Sequence, residues 1–373
     1  MSAEFLWRLP VHGDGRRAHI SHTRGEWNRL QPDQAPKRVA PSFNDQSFAY
    51  YDYIEQVAKA ADIVGFHGAL IPAFPHTEEP WMFAAALARQ TRNLRLLIAI
   101  QPWFIHPAYA SQMAASLQRL SNGRVEWNVI SGGGGSQQKS YGDFIDHDKR
   151  YARTAEFLDF VKGYSHHAPF NYEGEFFHVE NGGLQYPMNQ HPVPRLWLAG
   201  ASDAALHVAG QHAQIHLTWA EPIAQQKQVI ENAKSFLNQH YPNHQVKFGV
   251  RIDILARPTY EQAVTELKQM HESVDLHQQS FARSDTESVG AQRQKSLSEG
   301  KNFDDLFISP NFWGGMSKVR GGPNGILVGS YEQIAECLQE YIDIGVEHFI
   351  LASNPHLEEA YRVGEEVLPL LRR

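Results

Sequence analysis

Residues 345–361, Gly-Val-Glu-His-Phe-Ile-Leu-Ala-Ser-Asn-Pro-His-Leu-Glu-Glu-Ala-Tyr, pass from an apolar run through a polar turn into a helix-like stretch. The uninterrupted apolar segment 349–352 suits a strand covered on both faces, as in parallel sheets packed by helices. Asn354 and His356 then stand just past the C-terminal end of that strand, the position from which a parallel α/β barrel draws its functional side chains. The same succession of strand, polar loop and helix recurs along the chain. The fold class it predicts is α/β, a TIM (β/α)8 barrel carrying insertion segments.

Strands are expected at residues 5–11, 68–72, 94–100, 124–130, 195–199, 215–219, 247–256 and 347–352, with helices at 50–64, 81–92, 107–120, 203–210 and 223–239 between them. A barrel with insertions accommodates 373 residues as one unit, so a single domain over 1–373 is expected. Four segments fall outside the repeat. Residues 12–46 form a Gly- and Pro-containing loop far longer than an ordinary strand-to-helix connection. Residues 132–147 begin with a Gly-rich loop, and 168–190 alternate around Glu173-Gly174 as a small hairpin would. Residues 277–325 lose all periodicity, and a stretch of that length inside a barrel is expected to be a mobile lid over the site.

The net charge of -7 carries no basic footprint for nucleic acid, so the ligand is expected to be a small molecule. No run of about 18 apolar residues is present and the N-terminus has no secretory pattern, from which no membrane contact and a cytoplasmic location are expected. Cys337 is the one cysteine, which rules out an internal disulfide; its spacing from Ile334 and Leu338 places it on the apolar face of a helix. Twenty histidines are present but none in HExxH spacing, and no metal is expected.

The polar residues that follow strands are His12, the 72–79 stretch, Gln101, Asn128, Ser131, Trp219, Glu221, Arg251, Asp253, Asn354 and His356. Singly, each is more often a loop-bracing hydrogen-bonder than a catalyst; their convergence on one rim favours a site. Leu198-Ala-Gly-Ala-Ser-Asp203 ends a strand and opens a helix, so backbone N–H groups near Ala201 and the Ser202 hydroxyl suit an anion, although Ser202 or Asp203 could equally be a plain helix cap. His147 and Tyr151, four apart at another helix start, share a face and add donors, which tips the balance towards phosphate. Arg251 and Arg320 could grip a second anion through their guanidinium forks.

With these residues assembled, the chain resembles, nearly end to end, the bacterial luciferase-like flavin monooxygenases, and most closely the alkanesulfonate monooxygenase group. The matching strings are Leu9-Pro-Val-His-Gly-Asp-Gly15, Leu120-Ser-Asn-Gly-Arg124, Asp146-His-Asp-Lys-Arg-Tyr151, Thr218-Trp-Ala-Glu-Pro222, Val319-Arg-Gly-Gly322 and Pro355-His-Leu-Glu-Glu-Ala-Tyr-Arg-Val-Gly364. The resemblance implies a luciferase-like barrel in which FMN, delivered as FMNH2 by a separate NAD(P)H-dependent flavin reductase, uses O2 to oxygenate a sulfonate with release of aldehyde and sulfite. It also implies a homo-oligomer. On the matching positions, His147, Tyr151, Ala201 and Ser202 would hold the FMN phosphate and Asn128 would lie nearer the ring. His12, Trp219, Arg251, Arg320 and His356 would surround the substrate and flavin, with Arg320 closing the lid.

Three positions depart from the sulfonate enzymes' pattern. Thr77 stands where they carry a cysteine, Asp253 where they have histidine two residues after the strand-seven arginine, and Asn354 where they have tyrosine before Pro-His. Asp253 can neutralise the charge of Arg251, and Asn354 cannot serve as a phenolic acid. Other small substrates, hydride transfer with deazaflavin F420, and non-catalytic flavin binding are the competing readings.

Overall fold

The computed structural model describes residues 3–10, 50–74, 77–272, 288–298, 302–319 and 324–371. In chain order the elements are β1 (Glu4–Arg8), α1 (Tyr50–Ile63), β2 (Gly68–Ile71), α2 (Pro80–Gln90), β3 (Arg95–Ile100), α3 (Pro107–Ser121) and β4 (Val125–Ile130). There follow α4 (Gly135–Lys139), α5 (His147–His166), the hairpin strands β5 (Phe170–Glu173) and β6 (His178–Gly182), β7 (Arg195–Ala199), α6 (Asp203–His212), β8 (Ile215–Trp219) and α7 (Ile223–His240). The last third contains β9 (Lys247–Arg257), α8 (Tyr260–Glu272), α9 (Val289–Ser296), β10 (Phe307–Ser309), β11 (Phe312–Trp313), β12 (Ile326–Ser330), α10 (Tyr331–Asp343), β13 (Val346–Ala352), α11 (His356–Arg362) and α12 (Leu368–Leu371).

Eight parallel strands close on themselves in the order β1, β2, β3, β4, β7, β8, β9, β13, and β13 returns to β1 through pairs such as Phe5 with Phe349. This is the TIM barrel expected from the sequence, with strand positions shifted by only a few residues at their ends. The outward faces of the strands pack on the helices as one large core containing Trp7, Trp127, Phe157, Val250 and Phe349.

The helix ends follow from local chemistry. Pro107 opens α3 after the His106 ring caps the Ala108 N–H at 3.2 Å, and Asn122 and Gly123 end it with positive φ, turning the chain back into β4. Arg124, the last residue of the Leu-Ser-Asn-Gly-Arg string, then donates to the carbonyls of Ala88, Leu94 and Ser121 at 2.7 Å each. The string is therefore a brace at the N-terminal face of the barrel, the face that serves stability and not chemistry.

The β5–β6 hairpin stands apart as a two-stranded sheet, as its alternation suggested. The Glu156 carboxylate of α5 fastens it by accepting the N–H groups of Glu175, Phe176 and Phe177. In the aperiodic stretch the described residues hold regular structure that the sequence reading passed over. β9 is long enough to leave the barrel, and its upper half pairs with β12, on which β11 and β10 add antiparallel. This flange buries Leu255, Leu267, Leu306, Trp313, Ile326 and Val328 in a second small core. Its strands are only two to five residues long, too short for a repeating apolar pattern to emerge.

Candidate active site

The register determines which residues face the barrel axis. Leu6 stands level with Ile350 and Gly68, Leu70 with Leu97, and Trp197 with Ile215; with Leu217 these side chains pack into the barrel's own core. Towards the C-terminal end, the same inward face carries Arg8, Asn128, Trp219, Arg251 and Asp253. Trp219 and Arg251 are direct register partners.

Arg251 is 7% exposed. One guanidinium nitrogen, Nη2, lies 3.3 Å from Asp253 Oδ1, so the departure at position 253 does put a carboxylate on this arginine. The other, Nη1, has no hydrogen-bond partner among the described residues. Burial pulls the guanidinium down to about 10, which leaves it charged at neutral pH. Asn128 Oδ1 on β4 and Ser131 Oγ one residue beyond it are likewise buried without partners among the described residues. Buried polar atoms in native proteins are nearly always satisfied, so three open ones from adjoining parts of a barrel's C-terminal rim mark where a ligand's own polar groups fit.

A second cluster lies at the β7–α6 turn. Ser202 is the N-cap of α6, its side chain accepting the Ala205 N–H at 3.3 Å, and its hydroxyl proton remains available to donate. Tyr151, at the start of the second turn of α5, brings its hydroxyl to the same turn, beside Gly200. Burial raises the Tyr151 phenol above its ordinary range, against the lowering effect of Ser202 and Arg150, so it stays a neutral donor. The His147 ring packs against Tyr151 with centroids 5.0 Å apart, while its Nδ1 lies 2.8 Å from Asp148 Oδ1.

Gly200 is the residue that lets these groups close in. Its φ is +146°, and a Cβ there would sit 2.7 Å from both the Tyr151 hydroxyl and the Ala205 Cβ. The Ala201 amide takes no acceptor among the described residues. A helix N-terminus, an uncommitted amide, a serine and a tyrosine hydroxyl, with a histidine beside them, suit the phosphate of FMN in donor type and in space.

Not every expected residue joins these two clusters. His12 and Arg320 lie outside the described residues. His356 opens α11 and is buried edge-on against Trp7, centroids 6.0 Å apart, in the wall between barrel and helices. Thr77 accepts the Phe74 N–H at 2.9 Å and donates to the Phe74 carbonyl at 3.0 Å, so its hydroxyl closes its own turn. Glu221 is engaged by Arg293 of α9 at 2.6 Å, and Gln294 donates to the Ala220 carbonyl at 2.9 Å; these contacts dock the insertion just beyond the C-terminal end of β8. Arg8, inward-facing and buried at the end of β1, escaped the sequence reading. The signal was its place two and four residues after Leu6 and Glu4 on one strand face. Among the described residues no group of three or more His, Cys, Asp or Glu could hold a metal ion, and no helix is long and apolar enough to cross a membrane.

The fold is shared with solved proteins of low sequence identity. A riboflavin lyase, solved with modified FMN and riboflavin, is 18% identical over 100% of this chain and 92% of its own, with a TM-score of 0.71. An EDTA monooxygenase from Chelativorans sp. BNC1 is 15% identical over 100% and 94%, with a TM-score of 0.70. An F420-dependent secondary alcohol dehydrogenase is 16% identical over 100% of both chains, with a TM-score of 0.66. At such identities the likeness speaks for the barrel and its connections alone. The sequence match is more specific: a family model described as luciferase-like monooxygenase covers residues 29–348, most of the chain, and this protein is therefore a member of the luciferase-like monooxygenase family.

Proposed function

We propose that the protein takes up reduced FMN from a separate NAD(P)H-dependent reductase and uses O2 to oxygenate a small organosulfur compound. The observation that carries this reading is the pairing of a phosphate cradle at the β7–α6 turn with three open polar atoms at the barrel rim. In this reading His147, Tyr151, Ala201 and Ser202 hold the phosphate. Asn128 and Ser131 meet polar edges of the ring or substrate, and Trp219 and Arg251 flank the substrate, Arg251 offering Nη1 as donor. His12 and Arg320 complete the set inferred from the family resemblance, while His356, packed against Trp7, stands behind it. Reduced FMN, when bound, supplies the electrons that activate O2; the chain supplies orientation and charge. A charged, desolvated guanidinium stabilises negative charge on a substrate oxygen far better than one in water.

Within that chemistry an alkanesulfonate is the substrate that Arg251 and Arg320 favour, and Asp253 opposes it. The test is sulfite release from a panel of alkane- and sugar sulfonates under air, with FMN, NADH and a generic flavin reductase. Sulfite above the enzyme-free control supports C–S cleavage. No sulfite, with flavin binding measured separately, removes the sulfonate assignment; F420-linked alcohol oxidation without O2 would remove the monooxygenase assignment as well.

A further inference from the structure

His216 is a buried residue that the reaction does not use. It lies on β8, level with Leu198 and Phe248, residues that face the helix layer and not the barrel axis. Its ring meets Phe248 edge-on at 6.1 Å, and its Nε2 is 2.5 Å from the Gly200 carbonyl oxygen. A carbonyl only accepts, so Nε2 carries the proton and donates. Nδ1 has no partner. Burial, with Arg293 adding in the same direction, pulls the imidazole below its ordinary range despite the opposing Gly200 bond, which keeps it in this neutral tautomer.

The Gly200–Ala201 peptide is trans, as it is absent from the cis bonds of the described residues. In a trans peptide the C=O and the following N–H point in opposite directions. His216 holds the Gly200 carbonyl from the helix-layer side. The Ala201 N–H must then point away from His216, in a turn that the Tyr151 hydroxyl also approaches. Without that hold, a glycine with φ of +146° has no Cβ to stop the peptide plane from turning over, which would aim the carbonyl's negative end at an anion.

We infer that His216 is a positioning residue: it locks the Gly200–Ala201 peptide plane so that the Ala201 N–H is presented to the flavin phosphate. The inference rests on the phosphate reading above. It is specific to this chain's own strand β8, whose inner face serves the barrel while its outer face serves the neighbouring turn.

The test compares anaerobic binding of reduced FMN and reduced riboflavin, which differ in the phosphate, by quenching of tryptophan fluorescence in the full chain. The wild type should prefer FMN by at least about tenfold, the worth of a charge-assisted hydrogen bond or more. His216→Phe, which fills the ring's space without a donor, should reduce that preference towards one while leaving riboflavin affinity within about threefold of wild type. His216→Gln, which retains a donor of similar reach, should restore most of it. Should the Phe variant not fold, as judged by circular dichroism, His216→Asn carries the same expectation because its amide stops short of the carbonyl. Equal weakening of both flavins, or an undiminished FMN preference, overturns the positioning role. A wild type that binds both flavins alike overturns the phosphate reading and this inference with it.

Discussion

The two ends of the barrel spend their polar residues in opposite ways. At the N-terminal end, inward-facing charges close on one another. Arg95 reaches Glu4 at 2.6 and 3.2 Å and Glu126 at 3.1 Å; Arg195 reaches Glu4 at 2.9 Å and Glu126 at 2.8 Å. The second Glu126 oxygen accepts the Trp197 indole at 2.7 Å, and His348 Nε2 lies 3.2 Å from Glu4. At the C-terminal end, Arg251 has Asp253 on one side, and its Nη1, Asn128 Oδ1 and Ser131 Oγ have no partner among the described residues. Trp197, between the two levels, floors the upper end. The N-terminal carboxylates and guanidinium groups, partly exposed, engage one another, although Arg95 Nε and the His348 ring nitrogens have no well-aligned partner among the described residues; the more deeply buried open groups of the upper end are retained at a cost in stability, which a ligand can offset.

The largest effect should come from breaking the closed end. Glu4→Gln leaves Arg95, Arg195 and His348 facing a neutral amide. Removing one member of a buried ion network costs several kcal/mol; because Glu4 keeps a quarter of its side chain exposed, about 2 kcal/mol is expected. The midpoint of urea unfolding should fall accordingly while flavin affinity is unchanged. Loss of flavin affinity at constant stability would erase the distinction between the two ends.

The open end should respond the other way round. Asn128→Leu keeps the branched shape, with methyl groups bulkier than the amide atoms, and removes a buried amide oxygen that has no partner among the described residues, so stability should change little. Flavin or substrate binding should weaken by about tenfold, the worth of about 1.4 kcal/mol. Titration of reduced FMN beside a thermal melt reads both. A destabilised variant that binds normally would move Asn128 to the structural side of the comparison.

Most of this architecture was legible in the sequence, and the exceptions have physical causes. β7 and β8 were predicted to the residue because residues 195–199 carry an apolar run and 215–219 alternate apolar with polar, each followed by turn residues. The donor cluster at the β7–α6 turn, proposed here to hold a phosphate, could be assembled from sequence because its members lie at or near helix starts, where short-range rules act: the Ser202 cap is local, and His147 and Tyr151 share a face by spacing alone. The closed network was missed because Glu4, Arg95, Glu126 and Arg195 come from four strands, and only the closed barrel makes them neighbours. The β10–β12 flange was missed for the same reason, as its strands acquire a pattern only against β9. The His216 bond to Gly200 joins a strand to the turn before the preceding helix, and nothing in either segment announces the other.

The smallest effect separates the two ends by pH. Hydrogen bonds from His348, Arg195 and Arg95 outweigh burial and hold the Glu4 carboxyl well below its unfolded value of 4.5. Its stabilisation is therefore complete above about pH 4.5 and is lost as pH falls below it. His216 behaves differently: burial holds its folded value below the unfolded 6.5, so the unfolded state takes up the proton first. That contribution is present above about pH 6.5 and declines as pH falls from there. His212 is shifted in the same direction by burial and adds to the decline. Melting temperature should thus fall in two stages on acidification. His216→Gln should flatten the upper stage without moving the lower, and Glu4→Gln should do the reverse. A wild-type curve that is flat from pH 7 to 5 would show that the fold tolerates His216 and His212 charged, and that the contrast between the two ends lies in hydrogen bonding alone.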